Sequence, residues 1–350
     1  MSALIDQPAV TPLPGPRPAG RFGGLVGAEA HRFAARRFIR VLLLLSVLGW
    51  LAALAIGLTH FASVTPERLA EARTSMQQAV ALQEQYRQEC LADPSRPADA
   101  PADQYCPPPP QATDYRVEDF LTHPPFSLGG TGTDGAVGFG IAAAALAFLL
   151  GATFVGAEWS TRSMVALLFW EPRRGRVMAA KLLVVAGACA VLGVVAESGW
   201  LLLAGVLQWA AGDGAGLPAG FWPELLGTQA RGVLLATLVG LLGFGLTNLT
   251  RNTGAALGIG FVYFAVLQTA ITMLRPSWQP WLLTNNIGGL MAPGGVKLYT
   301  WPDAADQAIS GTTEPTVYVL GNLQSGVFLC LVTAAVVGAG VALFARRDLH

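Results

Sequence analysis

The chain has 350 residues, 53% of them hydrophobic, with a mean hydropathy of +0.48. Charged residues make up 13%, about half of the roughly 25% usual in a soluble domain, which excludes a water-soluble globular chain and points to a membrane protein. Basic and acidic side chains balance at 22 each, and no nucleic-acid partner is expected.

A bilayer core about 30 Å thick takes about 20 apolar residues per helix, so candidate spans can be read off in chain order. Residues 1–20 are too rich in proline and glycine to pack and read as a disordered cytoplasmic tail. Residues 21–40, with Leu25, Phe33, Arg32, Arg36, Arg37 and Arg40, suit a basic amphipathic helix on the inner leaflet; a plain extension of the first span is the alternative. The first span covers 41–58. It is longer than the roughly 7 to 15 residues of a signal-peptide core, and its leader is too long for a cleaved signal.

An outer loop follows over 59–135. Pro66 to Cys90 places Leu69, Ala72, Met76, Ala79 and Tyr86 at helical spacing behind a starting proline, and a helix is expected. The run DPSRPADAPADQYCPPPPQ supports neither helix nor sheet. Cys90 and Cys106 share this loop, on the oxidising side if the topology holds, and are expected to form a disulfide worth about 3 kcal/mol.

The second span covers 136–157, a cytoplasmic elbow 158–181, and the third span 182–207, interrupted once by Glu197. A short outer loop, 208–231, leads to the fourth span, 232–250. A tight inner hairpin around Arg251 leads to the fifth, 252–274. Segment 275–318 carries Trp278, Trp281, Tyr299 and Trp301, aromatics that favour a membrane interface. Its stretch WLLTNNIGGLMAPGG is too short to span and reads as a re-entrant or interfacial helix, or else as a loop on the headgroups. The sixth span covers 319–344, and 345–350 form a tail. The expected fold is an all-α integral membrane protein of six transmembrane helices.

Charge sorts by side. Segments 1–40, 158–181, 249–253 and 345–350 hold 14 Lys/Arg against 5 Asp/Glu, and the opposite segments hold 8 against 16. By the positive-inside rule both termini are cytoplasmic. A multi-pass position in the plasma membrane, in contact with lipid, is the expected location.

Chemistry-bearing motifs are scarce. Neither lysine, Lys181 or Lys297, sits in a GxxxxGK[ST] phosphate loop. There is no HExxH, GxSxG or CxxC, and the four histidines are far apart, so no catalytic or metal site and no cofactor on this chain is expected. Glu197 is the one charge within the spans. A structural ion pair with Arg231, at a comparable depth on the next helix, is expected to lower the cost of both charges; a place on a substrate path is the other reading. Gly254 and Gly258 form a GxxxG that permits close helix packing or dimer contact.

The segment GAEWSTRSMVALLFWEPRRGRVMAAK continues the second span through Trp159, Leu167, Leu168, Phe169 and Trp170 until Pro172 breaks it. Its order of G-A-E-W, T-R-S-M, E-P-R-R-G-R and A-A-K-L-L resembles the cytoplasmic elbow of permease subunits of ABC-2 type exporters, and the ending F-A-R-R-D is similar to theirs. The matching positions are Glu158, Thr161, Pro172 with Arg174, and Lys181; Arg162 departs from the usual small partner of the threonine.

The resemblance implies a second permease subunit, either a copy or a related chain. It also implies separate ATPase subunits that use ATP and Mg, so this chain would not itself be an enzyme. The elbow would be a coupling helix, with Arg173, Arg174 and Arg176 at the dock and Glu158 fixing the junction. Two other readings stand beside it: a non-transporting anchor or sensor with a ligand-binding outer loop, and an ion-coupled secondary transporter.

Overall fold

The structure is a computed structural model that describes residues 22–94, 105–111, 114–161, 163–301 and 314–346. The expected N-terminal tail, residues 347–350 of the C-terminal one, most of the proline-rich loop tip and Arg162 lie outside the described residues. Six helices are long and apolar enough to cross a membrane, and the protein is a multi-pass, predominantly α-helical membrane protein.

The helices are α1 (Phe22–Ala35), α2 (Arg37–His60), α3 (Pro66–Ala92), α4 (Leu128–Ser160), α5 (Ser163–Trp170), α6 (Arg174–Ala211) and α7 (Phe221–Thr250). They continue with α8 (Thr253–Leu274), α9 (Leu283–Met291) and α10 (Asn322–Arg346). The candidate spans are α2, α4, α6, α7, α8 and α10. The chain forms two compact units. One draws on residues up to Leu42, Ala142–Gly193 and residues from Val233 onward; the other on Leu43–Ile141 and Val194–Gly232.

The Leu43–Ile141 unit owes its core to aromatic packing. Phe126, Trp200, Phe221, Leu203, Leu207 and Leu225 are buried together, with Trp50, Phe61 and Phe139 against them. Both indoles are satisfied, as buried aromatic N–H groups must be: Trp50 Nε1 donates to the Gly199 carbonyl and Trp200 Nε1 to the Gly132 carbonyl, each at 2.8 Å. That packing explains why α4 starts at Leu128, well before the apolar run. The sequence LGGTGTDG has poor helix propensity, yet a Cβ at Gly135 would overlap the Trp200 ring and one at Gly132 would crowd Phe221. Tertiary contact outweighs propensity there.

In the same unit α3 starts where proline suggested, with Thr65 accepting from Arg68 N–H. Cys90 and Cys106 are joined by a disulfide. Asp213 closes the turn after α6. Desolvation acts to raise its pKa, but hydrogen bonds from Ser127, the Ala215 N–H and Gln208 prevail and hold the carboxyl below the ordinary range.

In the other unit, α4, α6 and α7 approach through small residues. A Cβ at Gly151 would overlap the Gly240 carbonyl oxygen, and one at Gly240 would overlap Cys189 Sγ. These are the close approaches, whereas Gly258 has open space around it within the chain and Gly254 meets only the Asn252 side chain. Among the described residues the GxxxG of α8 therefore makes no close helix–helix approach, in keeping with the exposure of this helix. Helix α8 contains a π-turn at Tyr263–Leu267. The Tyr263 hydroxyl accepts from Leu283 N–H at 2.8 Å, and Gln268 pairs with Thr284, which fixes α8 to the start of α9.

Two strands, β1 (Val296–Thr300) and β2 (Thr316–Leu320), pair antiparallel with Val296 opposite Leu320. This small hairpin is an addition to a helical fold that otherwise agrees with the all-α expectation, and it delays the start of the last span. Residues 319 and 320 belong to β2, and α10 begins at Asn322. The reason lies in cross-strand satisfaction of backbone groups, reinforced by Asn322, whose Nδ2 donates to the carbonyls of Gly289, Leu290 and Ala292. The stretch read as a re-entrant or interfacial element is the nine-residue helix α9, ending against this hairpin.

Candidate functional site

The elements around the elbow belong to one unit, and their charged side chains converge. Helix α4 ends at Ser160, because the Thr161 hydroxyl donates to the Ala157 carbonyl at 2.8 Å and the chain turns before α5. Helix α5 is only eight residues long. Met164 and Leu167 face inward and Phe169 outward, with Phe169 84% exposed. Pro172 follows, and α6 begins at Arg174 rather than at Lys181. That early start changes the role of Lys181. It stands well inside a helix, fully buried, and is not a surface contact.

Lys181 Nζ lies 2.7 Å from Glu29 Oε2 and 2.6 Å from Glu158 Oε2. Glu29 Oε1 takes Arg32 Nη1 at 2.8 Å, and Glu158 Oε1 takes Arg36 Nη2 at 3.2 Å. The Phe154 ring forms one wall, with Lys181 Nζ at 5.2 Å and the Arg36 guanidinium at 5.5 Å from its centroid. Glu29 and Lys181 are 0% exposed and Glu158 3%. Charges so deeply buried are tolerated only when each finds opposite charge and hydrogen bonds together, which this arrangement supplies. It fastens α1 to the end of α4 and the first turns of α6.

A second set of contacts gathers the remaining helix ends. Trp159 Nε1 donates to Asn248 Oδ1 at 3.4 Å, its ring meets Phe344 edge-on at 6.0 Å, and the Arg251 guanidinium sits 4.7 Å above it. Arg251 adopts φ 53°, in the left-handed region, and Asn252 caps α8 by accepting from Ala255 N–H, so α7 reverses into α8 within a few residues. Arg174 Nη1 donates to the carbonyls of Phe344 and Ala345, both at 3.3 Å, and satisfies the open end of α10.

The expected docking residues therefore separate. Arg174 and Arg176 are engaged within the chain, Arg176 with Glu171 at 3.8 Å. Thr161, Pro172 and Arg173 are exposed. Glu158 and Lys181 are interior. Glu29 was not among the residues singled out from sequence, although it is the sole acidic side chain between Phe22 and Arg40, a signal that could have marked it.

The Glu197–Arg231 ion pair is absent among the described residues. Arg231 Nη2 turns back one helical turn to Thr228 Oγ1 at 2.7 Å, following the lean of helical side chains toward the N-terminus. Glu197 is 3% exposed, packed where a Cβ at Gly232 would overlap it, and its carboxylate oxygens have no hydrogen-bond partner among the described residues. Its backbone carbonyl accepts from Gln229 Nε2 at 3.0 Å.

No group of three or more metal-ligating side chains occurs among the described residues. Compared with family models, curated proteins and solved structures, the chain matches none, so its functional reading rests on the geometry of its own residues.

Proposed function

We propose that this chain is the permease subunit of an ATP-driven exporter of the ABC-2 type, set in the plasma membrane with both termini cytoplasmic. It pairs with a second permease subunit and is powered by separate ATPase subunits that use ATP and Mg. The observation that carries the reading is the mechanical layout of the elbow. A short helix with an outward apolar side chain, Phe169, sits between two long helices whose ends are locked to α1 through Lys181, Glu158 and Glu29. A partner that pushes on α5 moves α4 and α6 together rather than bending the loop between them. Basic segments on this side and the acidic balance of the opposite loops support the orientation.

The test uses Phe169→Glu, which alters an exposed side chain and leaves the ion network in place. The chain purified from its native membrane is expected to retain a P-loop ATPase that has no spans of its own, and the variant is expected to lose it while keeping its thermal stability. A wild-type chain that retains no such ATPase overturns the reading. One observation favours a second reading, an ion-coupled carrier: the unpartnered buried carboxylate of Glu197, a costly group inside a membrane. Transport driven by an imposed proton gradient in vesicles without ATP, and lost in Glu197→Gln, would select it.

A further inference from the structure

The ion network leaves a residue of charge. Arg32, Arg36 and Lys181 contribute three positive charges, and Glu29 and Glu158 two negative ones. All four carboxylate oxygens are engaged by these cations, and Lys181 is sealed from solvent. The surplus therefore resides on the two arginines, whose side chains are 47% and 24% exposed. Both line a cleft of about 320 Å³, together with Glu158, Ser163, Ala166 and Leu167. That size falls at the lower end of the roughly 300–1,000 Å³ of small-molecule sites.

Glu158, already paired with Arg36 and Lys181, is the one acidic group in the lining; Ser163, Ala166 and Leu167 make the rest of it hydroxylic or apolar, and the position is the edge of the lipid. Arg36 directly precedes α2, whose first turns expose the apolar side chains of Phe38 and Val41. Exposed apolar residues in a row on a spanning helix mark acyl-chain depth, so the cleft one turn earlier lies at headgroup depth. Arginine presents several donors in a planar fork suited to a phosphate.

From these observations we infer that the Arg32–Arg36–Ser163 cleft binds the phosphate headgroup of an anionic phospholipid, with its tails along α2. The site is separate from Phe169 and does not depend on the identity of any ATPase.

The experiment is native mass spectrometry of the delipidated full chain titrated with phosphatidylglycerol, phosphatidylcholine or inorganic phosphate. The expected result is a one-to-one phosphatidylglycerol adduct at least tenfold tighter than either other species. Arg32→Gln, which lowers the charge, and Ala166→Trp, which fills the cleft from an exposed position, are each expected to weaken it tenfold or more. The thermal midpoint of Ala166→Trp should stay unchanged. Equal binding of the two lipids, or full binding by Ala166→Trp, would overturn the site. Inorganic phosphate bound as tightly as the lipid would overturn the lipid assignment.

Discussion

Lys181 satisfies two buried carboxylates from opposite sides, so its removal leaves both without their shared cation. Breaking a buried ion pair by deleting one partner costs about 3–5 kcal/mol. Lys181→Met is therefore expected to lower the thermal midpoint of the detergent-solubilised chain sharply. Adding Glu29→Gln and Glu158→Gln to it should recover much of the loss, because neutral partners no longer need the ammonium. Asp213 is a milder case at the same scale. Its folded pKa is held below the unfolded value of about 3.9, so its contribution is present above that pH and fades as pH falls through the folded value. Asp213→Asn is expected to lower stability near pH 7, to converge with wild type in acid, and so to flatten the acid limb of the unfolding profile, measured by thermal melts from neutral pH down to about pH 3. An unchanged acid limb would remove Asp213 from the account.

Among the helices, small residues separate into those that carry packing and those that do not. A side chain at Gly151 must displace the backbone of α7 at Gly240, a group that cannot rotate away. Gly151→Val is expected to cost about 1–3 kcal/mol or more, read as a lowered thermal midpoint and lower yield of folded protein. Gly258→Val meets open space and should be neutral for the isolated chain. If the wild-type chain elutes as a dimer and Gly258→Val as a monomer, the outward face of α8 is the contact between copies of this chain. Helix α5 shows a related division, since Met164 and Leu167 anchor it while Phe169 remains free for another surface.

For the molecule as a whole, the orientation is open to direct measurement. In a Cys330→Ser background, Phe169→Cys is expected to react with a membrane-impermeant maleimide only in inverted vesicles, and Leu82→Cys on α3 only in intact cells. Both residues labelled from one side would overturn the assigned topology. The network around Lys181 also predicts that α1 moves with α4 and α6 as a single body. A cross-link from α1 to the first turn of α6 should then leave the thermal midpoint and, under the proposed function, ATPase stimulation intact, whereas a function that needs α1 to swing freely would be impaired by it.

The sequence by itself determined the class and count of the spanning elements, because a bilayer admits only long apolar helices or closed barrels and the uncharged runs are visible residue by residue. It also carried the break at Pro172 and the start of α3 at Pro66, where a proline restricts its own backbone. Only the tertiary structure decided the rest. The hairpin of Val296–Thr300 with Thr316–Leu320 depends on pairing across an intervening segment, and α4 begins in a glycine-rich stretch because Trp200 and Phe221 pack into it. Glu29 and Lys181 lie far apart in the chain, and although each stands out locally, their meeting rests on side-chain direction and burial that periodicity does not encode. For the same reason Glu197 and Arg231, matched in depth along their helices, do not join: depth can be counted from the chain, but the direction in which each side chain leaves its helix is set by packing.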